Sequence, residues 1–254
     1  MIFLKLTKLW SGVAIPNKKR RFPGYLIEIG KEKLLFDCGA GTVNTLTQLW
    51  IDVNEIKFLF LTHYHIDHVC EYPTFVKARV RSRNELKVYG PSGLEKITNV
   101  FFKEMFRYMS EDLDCFQYLR IHEVKEGLVE KTDKWKVSCI PVKHFDGVAY
   151  RLESDNKSIL YSGDSTADKK LTTLGKDCDL AILECSFPDK KSLKGLHMSS
   201  DDIGKIANEA NFKKVVLTHF YPESIGREKE IIANVKKQFD GEVLVAEDFM
   251  TIEI

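Results

Sequence analysis

Hydrophobic residues along the chain fall into short runs that are bounded by polar and turn-forming residues. Runs of this length predict β-strands, since strands are usually shorter than helices. Residues 29–33, which contain Gly30, predict a hairpin turn between the second and third strands. The predicted strands cover residues 2–9, 25–29, 33–37, 58–61, 86–89, 119–124, 135–142, 147–152, 158–161, 180–183 and 214–219, followed by two short strands before Ile254.

Segments with apolar residues at helical spacing lie between the strands. In residues 92–108, Leu94, Ile97, Phe101 and Met105 share one face, which predicts a helix that packs this stripe against the core. Four other helices are predicted. One runs from the glycine turn at 39–41 to about residue 50, a second covers 69–79, a third begins at Ser199 or Ser200, and a fourth covers 227–239.

The same order of elements occurs twice along the chain: a group of predicted strands comes first, and units of one helix and one strand follow. This order predicts an α+β fold in which two sheets pack face to face with helices outside. The sequence contains no internal repeat, low-complexity segment or linker, so residues 1–254 are expected to form a single domain.

The composition is that of an ordinary globular protein, with 44% hydrophobic residues, 30% charged residues and a formal net charge of +1. So small a net charge excludes a strong overall field that would collect nucleic acid or anionic membrane. No apolar run approaches the ~20 residues of a membrane span. Lys5 interrupts the first apolar run too early for a signal peptide. We therefore expect a cytoplasmic protein without membrane contact.

The cysteines are scattered and form no C-x-x-C motif, which argues against a zinc knuckle or a thioredoxin-like site. We expect reduced thiols that serve as small apolar core residues. The six are Cys38, Cys70, Cys115, Cys139, Cys178 and Cys185.

A basic loop lies between the first two predicted strands. Residues 11–21 contain Gly12 and Pro16 and end in four consecutive cations, Lys18 to Arg21. Such a loop can offer contacts to a phosphate, and it can equally be a solvated turn. The sequence leaves both interpretations open.

The densest chemistry follows the predicted strand at 58–61. His63, His65, Asp67 and His68 stand within six positions directly after that apolar run. In an extended segment, side chains two positions apart point the same way, so His63 and His65 can face one ion together. If the chain then turns into a helix, Asp67 and His68 project towards a second ion. Imidazole ligands at this density suit zinc and similar divalent metals.

Further ligand-type residues follow other predicted strands. His144 comes after 135–142, Asp164 after 158–161, and His219 ends 214–219. A carboxylate has two oxygens, so Asp164 can bridge two ions. Asp37 ends a strand and is a candidate for orienting a metal-bound histidine. His122 lies inside a strand with no such neighbours, and we predict a structural role for it.

The H-x-H-x-D-H stretch resembles the signature of the metallo-β-lactamase superfamily. The resemblance covers nearly the whole chain and implies an αββα sandwich, with two mixed β-sheets flanked by helices. It also implies two divalent metal ions about 3.5–4 Å apart. Zinc is the expected metal, with manganese or iron as alternatives. In this scheme the first ion is held by His63, His65 and His144, the second by Asp67, His68 and His219, and Asp164 bridges them.

Two more motifs resemble the ribonuclease Z-like branch: Glu184 in Leu183–Phe187 and His197 in Leu196–Ser199. The implied role of His197, held protonated by Glu184, is to stabilise the phosphorane-like charge or to protonate the leaving oxygen. Asp67 is counted with these two as catalytic. In the alternative interpretation, His197 merely caps or packs at a helix start.

One departure from that branch concerns the substrate. Typical ribonuclease Z enzymes carry a long tRNA-gripping arm between the third and fourth ligand motifs, whereas 20 positions separate His144 from Asp164. Relatives without the arm include enzymes that open small cyclic phosphodiesters. We therefore expect a dinuclear phosphodiesterase that acts on RNA 3′ ends or on a small cyclic phosphodiester through a metal-bridging hydroxide. Relatives of this group often form dimers, so a homodimer is one possibility, and the sequence itself does not determine the oligomeric state.

Two other functions stay open. A thioester or lactone hydrolase of glyoxalase II-like type would use the same seven ligands. It would not need Glu184 and His197, and it would carry a C-terminal helical domain for which the 35 residues after His219 leave little room. A non-catalytic metal-binding scaffold is the third possibility, although the full ligand set argues against it.

Overall fold

Two sheets of seven strands dominate the part of the chain described by this computed structural model, residues 4–15, 17–18, 20–79, 81–107 and 114–254. The first sheet has the order β14-β1-β2-β3-β4-β5-β6 and the second β13-β12-β11-β10-β9-β8-β7. Their bounds are β1 Leu4–Trp10, β2 Gly24–Ile29, β3 Glu32–Phe36, β4 Phe58–Phe60, β5 Leu86–Gly90, β6 Leu119–Glu123, β7 Gly127–Lys131, β8 Trp135–Pro141, β9 Val148–Ser154, β10 Lys157–Tyr161, β11 Leu180–Glu184, β12 Lys214–Thr218, β13 Glu242–Val245 and β14 Thr251–Glu253.

Both sheets are mixed and have the same pattern of strand directions. In the first sheet β14, β1, β2 and β3 pair antiparallel, and β3 to β6 continue in parallel. In the second sheet β7 to β10 pair antiparallel, and β10 to β13 continue in parallel. The predicted α+β fold, with the same strand and helix–strand units occurring twice, is confirmed.

Helices cover the outer faces of the sheets. They are α1 Thr42–Gln48, α2 Ile66–Val69, α3 Tyr72–Ala78, α4 Leu94–Asn99, α5 Lys169–Gly175, α6 Ser200–Glu209 and α7 Glu228–Lys236. Short 3₁₀ turns cover Val53–Glu55, Asp114–Tyr118 and Pro222–Ser224. Within the described ranges, no helix combines the length and the apolar character that crossing a bilayer requires.

The central strands are apolar on both faces, as expected where a sheet is covered on both sides, whereas the strands β6 and β7 at the sheet edges are largely exposed. On β3, Leu34 and Phe36 belong to the core between the two sheets, whereas Leu35 belongs to the core under the outer helices. Aromatic rings fill much of the space between the sheets: Phe36 stacks on Phe60 with ring centroids 4.8 Å apart, and Tyr150 of the second sheet meets Phe60 at 5.5 Å.

The helix predicted over 92–108 differs from expectation. The α-helix ends at Asn99 and continues as a π-helical turn, Val100–Met105. A π turn places more residues in each turn, so it shifts every later side chain around the axis. Phe102 is therefore buried, whereas Met105 of the predicted stripe is 62% exposed. Residue 108 lies outside the described residues, as do residues 2 and 3 of the first predicted strand.

Two elements were not predicted, and one was misplaced. The missed elements are β7, a mostly exposed edge strand, and α5. Neither has a strong apolar period of its own. The helix predicted over 69–79 begins earlier, at Ile66, and breaks before Tyr72, so the histidine motif itself forms the first helical turn.

Candidate metal centre

The seven predicted ligands converge at one end of the sandwich, where loops leave the carboxyl ends of strands from both sheets. The loop after β4 carries His63 and His65, the helix α2 that follows it carries Asp67 and His68, and the loops after β8, β10 and β12 carry His144, Asp164 and His219. Because these strands run in the same direction within each sheet, their carboxyl ends meet at one end of the sandwich. Sequence-distant residues are thereby brought within contact distance.

The side chains form two groups whose ligand atoms lie within 4.8 Å of one another. The first group contains His63, His65, His144 and Asp164; the second contains Asp67, His68 and His219. The resemblance assigned these two sets of histidines to two separate ions, and that assignment stays a prediction. All of these side chains are buried except His65, which is half-buried.

Asp164 lies between the two groups. Its Oδ2 is 3.7 Å from Nε2 of His63 and 3.7 Å from Nε2 of His144. Its Oδ1 is 3.4 Å from Nε2 of His68 and 3.2 Å from Nε2 of His219. Each oxygen therefore faces a different group, as a bridging carboxylate requires.

Gly163 lets this carboxylate reach the first sheet. Its backbone has φ +55°, and a Cβ at this position would lie 2.7 Å from Cβ of Thr62. Any side chain here would push Asp164 away from the histidine loop. Thr62 also contacts the second sheet through its backbone, since its carbonyl accepts a hydrogen bond from the N–H of Val148 at 2.9 Å.

Two buried atoms of the cluster lack hydrogen-bond partners in the described part of the chain. His63 Nε2 and Asp164 Oδ1 are buried and have no hydrogen-bond partner among the described residues. An unpaired buried polar atom costs about 1–3 kcal/mol, so such atoms call for a ligand. Imidazole nitrogens and carboxylate oxygens are the donor set of zinc, manganese and iron sites. The residues present therefore fit a divalent metal.

Most of the cluster's imidazoles are fixed through the nitrogen that points away from the centre. This is the usual way a protein orients a metal-binding histidine. The contacts are His63 Nδ1 with Thr62 Oγ1 at 3.1 Å, His68 Nδ1 with Asp37 Oδ2 at 2.7 Å, His144 Nδ1 with the carbonyl of Leu196 at 2.7 Å, and His219 Nδ1 with Ser186 Oγ at 3.1 Å.

Asp37 occupies the orienting position that its place at a strand end suggested. It is fully buried and accepts hydrogen bonds from Tyr161 Oη at 2.6 Å, from the N–H of Thr62 at 2.8 Å and from Thr62 Oγ1 at 2.9 Å. Its backbone is left-handed, with φ 56°. A carboxylate held by this many donors fixes the His68 ring without moving itself.

His197 and Glu184 form a buried pair beside the cluster. His197 Nδ1 lies 2.9 Å from Glu184 Oε1, and Glu184 also accepts from Ser186 Oγ at 2.6 Å and from the N–H of Ser165 at 2.8 Å. A His197 nitrogen lies within 4.8 Å of ligand atoms of Asp164 and His219. The ring of His197 therefore borders the centre.

Comparison with known proteins identifies the fold family. Residues 32–220 match the family described as "Beta-lactamase superfamily domain". The chain belongs to the metallo-β-lactamase superfamily. Ribonuclease Z of Archaeoglobus fulgidus is 25% identical over 311 aligned positions, which cover all of this chain and 98% of the relative. That alignment is longer than this 254-residue chain, so the relative contains segments that have no counterpart here.

Two solved structures show the same fold. The metallo-β-lactamase fold protein YhfI from Bacillus subtilis has a TM-score of 0.86 at 22% identity, with both chains fully covered. The short form of human tRNase Z has a TM-score of 0.80 at 22% identity and 98% coverage of each chain. With the relatives above, this superfamily member falls in the ribonuclease Z-like branch and is a metal-dependent hydrolase.

The electrostatics of this superfamily member favour a cation. Burial opposes ionisation of Asp164, but His219 and His68 outweigh it and hold the pKa of the carboxyl well below its ordinary value. Burial holds the pKa of His63 well below its ordinary value, so this imidazole stays neutral, as a metal ligand must. Burial also lowers the pKa values of His65 and His144.

The pKa values of His68 and His197 are raised instead of lowered. Burial lowers the pKa of His68, but the neighbouring Asp164, Asp37 and Asp67 outweigh it and raise that pKa well above its ordinary value. The same carboxylates favour any positive charge at this position. For His197, the hydrogen bond and charge of Glu184 outweigh burial and raise the pKa.

One neighbour of this pair was missed from the sequence. The hydroxyl of Tyr221 lies 3.3 Å from His197 Nε2, the nitrogen that Glu184 leaves free. Tyr221 follows His219 by two positions and stacks on Phe187 at 5.2 Å. Its place in the loop after a ligand histidine was the available signal, and it was too weak to single the residue out.

The basic loop is only partly available to a ligand. Arg20 is 9% exposed, its guanidinium lies 4.7 Å from the Phe220 ring centroid, and it donates to Ser11 Oγ at 3.1 Å and to the carbonyl of Ala246. Arg20 therefore fastens the loop beside His219, and the interpretation of four solvated or phosphate-facing cations is wrong for this residue. Lys18 and Arg21 are exposed, and Lys19 lies outside the described residues.

Among the described residues, His122 and the cysteines belong to none of the ligand groups. His122 is exposed on β6 and stacks on Tyr89 at 5.0 Å. The cysteines whose side chains are described are free thiols, as expected of core residues: Cys38, Cys139, Cys178 and Cys185 are buried and Cys70 is half-buried. The side chain of Cys115 lies outside the described residues.

Proposed function

We propose that this protein is a phosphodiesterase that binds two divalent metal ions in the cluster described above. The observation that carries the proposal is the position of Asp164, whose two oxygens face two separate groups of imidazoles. The names of the ribonuclease Z relatives support phosphodiester chemistry. The proposed ligands are His63, His65 and His144 for one ion, Asp67, His68 and His219 for the other, and Asp164 for both.

Zinc is the proposed metal because five of the seven ligands are imidazoles. When bound, a pair of divalent ions supplies a water of lowered pKa and positive charge for the phosphate oxygens. Elemental analysis of the purified protein identifies the metal, and manganese or iron in place of zinc would change the metal without changing the ligand set.

The protein's own groups supply the proton transfers. Glu184 accepts a hydrogen bond from Nδ1 of His197 and keeps this ring protonated, so Nε2 can donate its proton to the departing oxygen. Tyr221, 3.3 Å from Nε2, holds the ring in that orientation. Asp67 accepts a hydrogen bond from the N–H of Ala14 at 3.1 Å and offers a carboxylate that can take a proton from the attacking water.

A small cyclic phosphodiester is the favoured substrate over a tRNA precursor. The interval from His144 to Asp164 is filled by the hairpin of β9 and β10, which leaves no segment for a protruding arm. The buried position of Arg20 removes one cation that would contact an RNA backbone. An RNA 3′ end is the other phosphodiester that this open site can accept.

The first experiment measures hydrolysis of bis(p-nitrophenyl) phosphate by the protein loaded with zinc, manganese or cobalt. We expect turnover with at least one of these metals. Absence of turnover with all three, together with cleavage of S-lactoylglutathione or a homoserine lactone, would overturn the proposal in favour of a thioester or lactone hydrolase. A second assay compares RNA precursors with cyclic nucleotides and cyclic phosphosugars, and separates the two phosphodiester classes.

A further inference from the structure

Exposed apolar side chains surround the candidate metal centre. Of the nine large hydrophobic side chains that are exposed in the described part of the chain, four flank this site, and we call them the apolar rim: Ile15, Ile66, Phe145 and Leu196. Exposed apolar residues scattered singly are normal on protein surfaces, whereas a group of them around a cleft marks a binding surface.

The contacts of its neighbours place each rim residue at the centre. Ile66 directly follows His65, and the carbonyl of Leu196 accepts the hydrogen bond from His144 Nδ1. Ile15 directly follows Ala14, whose N–H donates to Asp67. Each rim residue therefore adjoins the centre along the chain, and Phe145 also contacts it through its ring.

Phe145 is the unusual member of the rim. It directly follows His144, is 69% exposed, and has a left-handed backbone with φ 49°. A bulky residue rarely adopts this conformation, which costs of order 1–3 kcal/mol. The turn that imposes it is closed by hydrogen bonds from the N–H of Gly147 to the carbonyl of His144 and from the N–H of Val142 to the carbonyl of Gly147.

Two imidazoles hold the Phe145 ring beside the centre. Its centroid lies 4.9 Å from that of His65 and 5.2 Å from that of His144, at interplanar angles of 70° and 82°. These are favourable edge-to-face geometries. The ring contributes little to the core, since most of it is exposed. A strained backbone that presents a fixed, exposed aromatic ring next to two proposed ligands is better explained by binding than by folding.

We propose that Phe145 is a stacking platform for the nucleobase of a nucleoside phosphodiester whose phosphate lies in the candidate metal centre. This inference rests on the proposed function and narrows its substrate class. Aromatic side chains stack on any base because every base has a flat π face, so the platform selects for a base and tolerates its identity. A cyclic phosphosugar without a base gains nothing from it.

The first test measures binding and does not depend on turnover. Calorimetry of the zinc-loaded protein compares adenosine 5′-monophosphate with ribose 5-phosphate, which lacks only the base. We expect the wild type to prefer the nucleotide. Phe145→Ala should weaken binding of the nucleotide about 5–100-fold, the range for losing one stacked base, and leave binding of ribose 5-phosphate within about twofold. Phe145→Trp should retain the preference, because it keeps a flat ring.

The second test measures hydrolysis. It compares adenosine 2′,3′-cyclic phosphate with methyl ribofuranoside 2′,3′-cyclic phosphate, in which a methoxy group replaces the base. Phe145→Ala should raise KM for the adenosine ester and leave kcat and KM for the methyl ribofuranoside ester nearly unchanged. Trp50→Ala is the matched control, since Trp50 is another exposed aromatic residue with a left-handed backbone, at 96% exposure and φ 57°, outside the centre.

The outcomes separate the platform from the proposed function. Phe145→Ala could weaken binding of the compounds with and without a base equally, or it could lose bound zinc. Either result would overturn the platform and give the ring a structural role at the ligands. No effect on either compound would also overturn it, while hydrolysis by the wild type would leave the phosphodiesterase proposal standing. A change of oligomeric state in Phe145→Ala, seen by light scattering, would show that a second copy covers the rim instead. A wild type that hydrolyses no phosphodiester with zinc, manganese or cobalt would overturn both proposals.

Discussion

At the scale of single residues, the centre depends on side chains that hold other side chains. Asp37 fixes His68 from behind, and Glu184 fixes His197. Each of these carboxylates is buried and is itself held by several donors, so neither can turn away. The orientation of the imidazoles is therefore set by residues that do not reach the open side of the cluster.

Asp37→Asn tests the first of these contacts. Asparagine tolerates the left-handed backbone at this position, so the substitution removes the charge with little change of shape. We expect metal affinity to fall about 10–100-fold, the usual effect of losing a group that orients a ligand. Competition with a chromophoric chelator measures the affinity. Asp133→Asn, at an exposed position between β7 and β8, is the control, and equal affinities in all three proteins would contradict the role of Asp37.

His197→Ala tests the proposed acid. We expect turnover of bis(p-nitrophenyl) phosphate to fall about 10²–10⁴-fold, the range for a proton-transfer group, while metal content stays the same. Steady-state kinetics and elemental analysis of the same sample measure both quantities. His122→Ala removes an exposed imidazole that belongs to none of the ligand groups and should leave both quantities unchanged. Unchanged turnover in His197→Ala would remove the residue from the mechanism.

At the scale of elements, the start of α6 connects helix stability to the position of His197. Asp202 in the first turn accepts hydrogen bonds from the N–H of Ser199 at 3.1 Å and from its Oγ at 2.7 Å. Ser199 is the N-cap of the helix, and Met198 lies between it and His197. The N–H of Met198 donates a hydrogen bond to Glu184 at 3.2 Å. A frayed cap would therefore loosen the segment that presents His197.

Asp202→Ala should lower the free energy of unfolding by about 1–2 kcal/mol, because two buried donors of Ser199 lose their acceptor. Urea denaturation at constant metal concentration measures the change. Glu209→Ala removes an exposed carboxylate from the other end of the same helix, where the pair with Lys205 spans 3.9 Å, and should cost less than about 0.5 kcal/mol. Equal effects of the two substitutions would show that the cap does not carry this stability.

At the scale of the whole molecule, the candidate centre joins the two sheets. The loop after β4 belongs to the first sheet, whereas His144, Asp164 and His219 follow strands of the second. Any ion held by residues of both loops cross-links the sandwich at that end. Metal binding should therefore contribute to stability as well as to catalysis.

Removing metal should lower the melting temperature. A ligand that binds only the folded state at about 100 times its Kd stabilises by about 2.7 kcal/mol, which corresponds to about 5–10 °C for a chain of this size. Differential scanning fluorimetry with and without a chelator measures the shift, and added zinc should reverse it. In Asp164→Ala, which lacks the carboxylate between the groups, the chelator should produce a much smaller shift. A wild-type melting temperature that ignores the chelator would contradict a structural contribution.

The sequence by itself determined the strands other than β7, the repeated order of strands and helices, and the ligand-type residues that follow those strands. These features are local: an apolar run, a turn and the ligand that follows it lie within a few positions of one another. His63 and His65 could be paired from their spacing alone. The motif around His197 could be singled out by resemblance, although its contact with Glu184 spans 13 positions.

Only the tertiary structure decided which side chains are buried and which meet. Arg20 belongs to a run of cations, yet its contacts with Ala246 and Phe220, two hundred or more positions away in the chain, turn it inward. Tyr221 acquires its partner, and Phe145 its exposure beside His65, in the same way. The distances across Asp164 also follow from packing one sheet on the other. Burial and long-range contact arise from segments far apart in the chain, so no local pattern of residues encodes them.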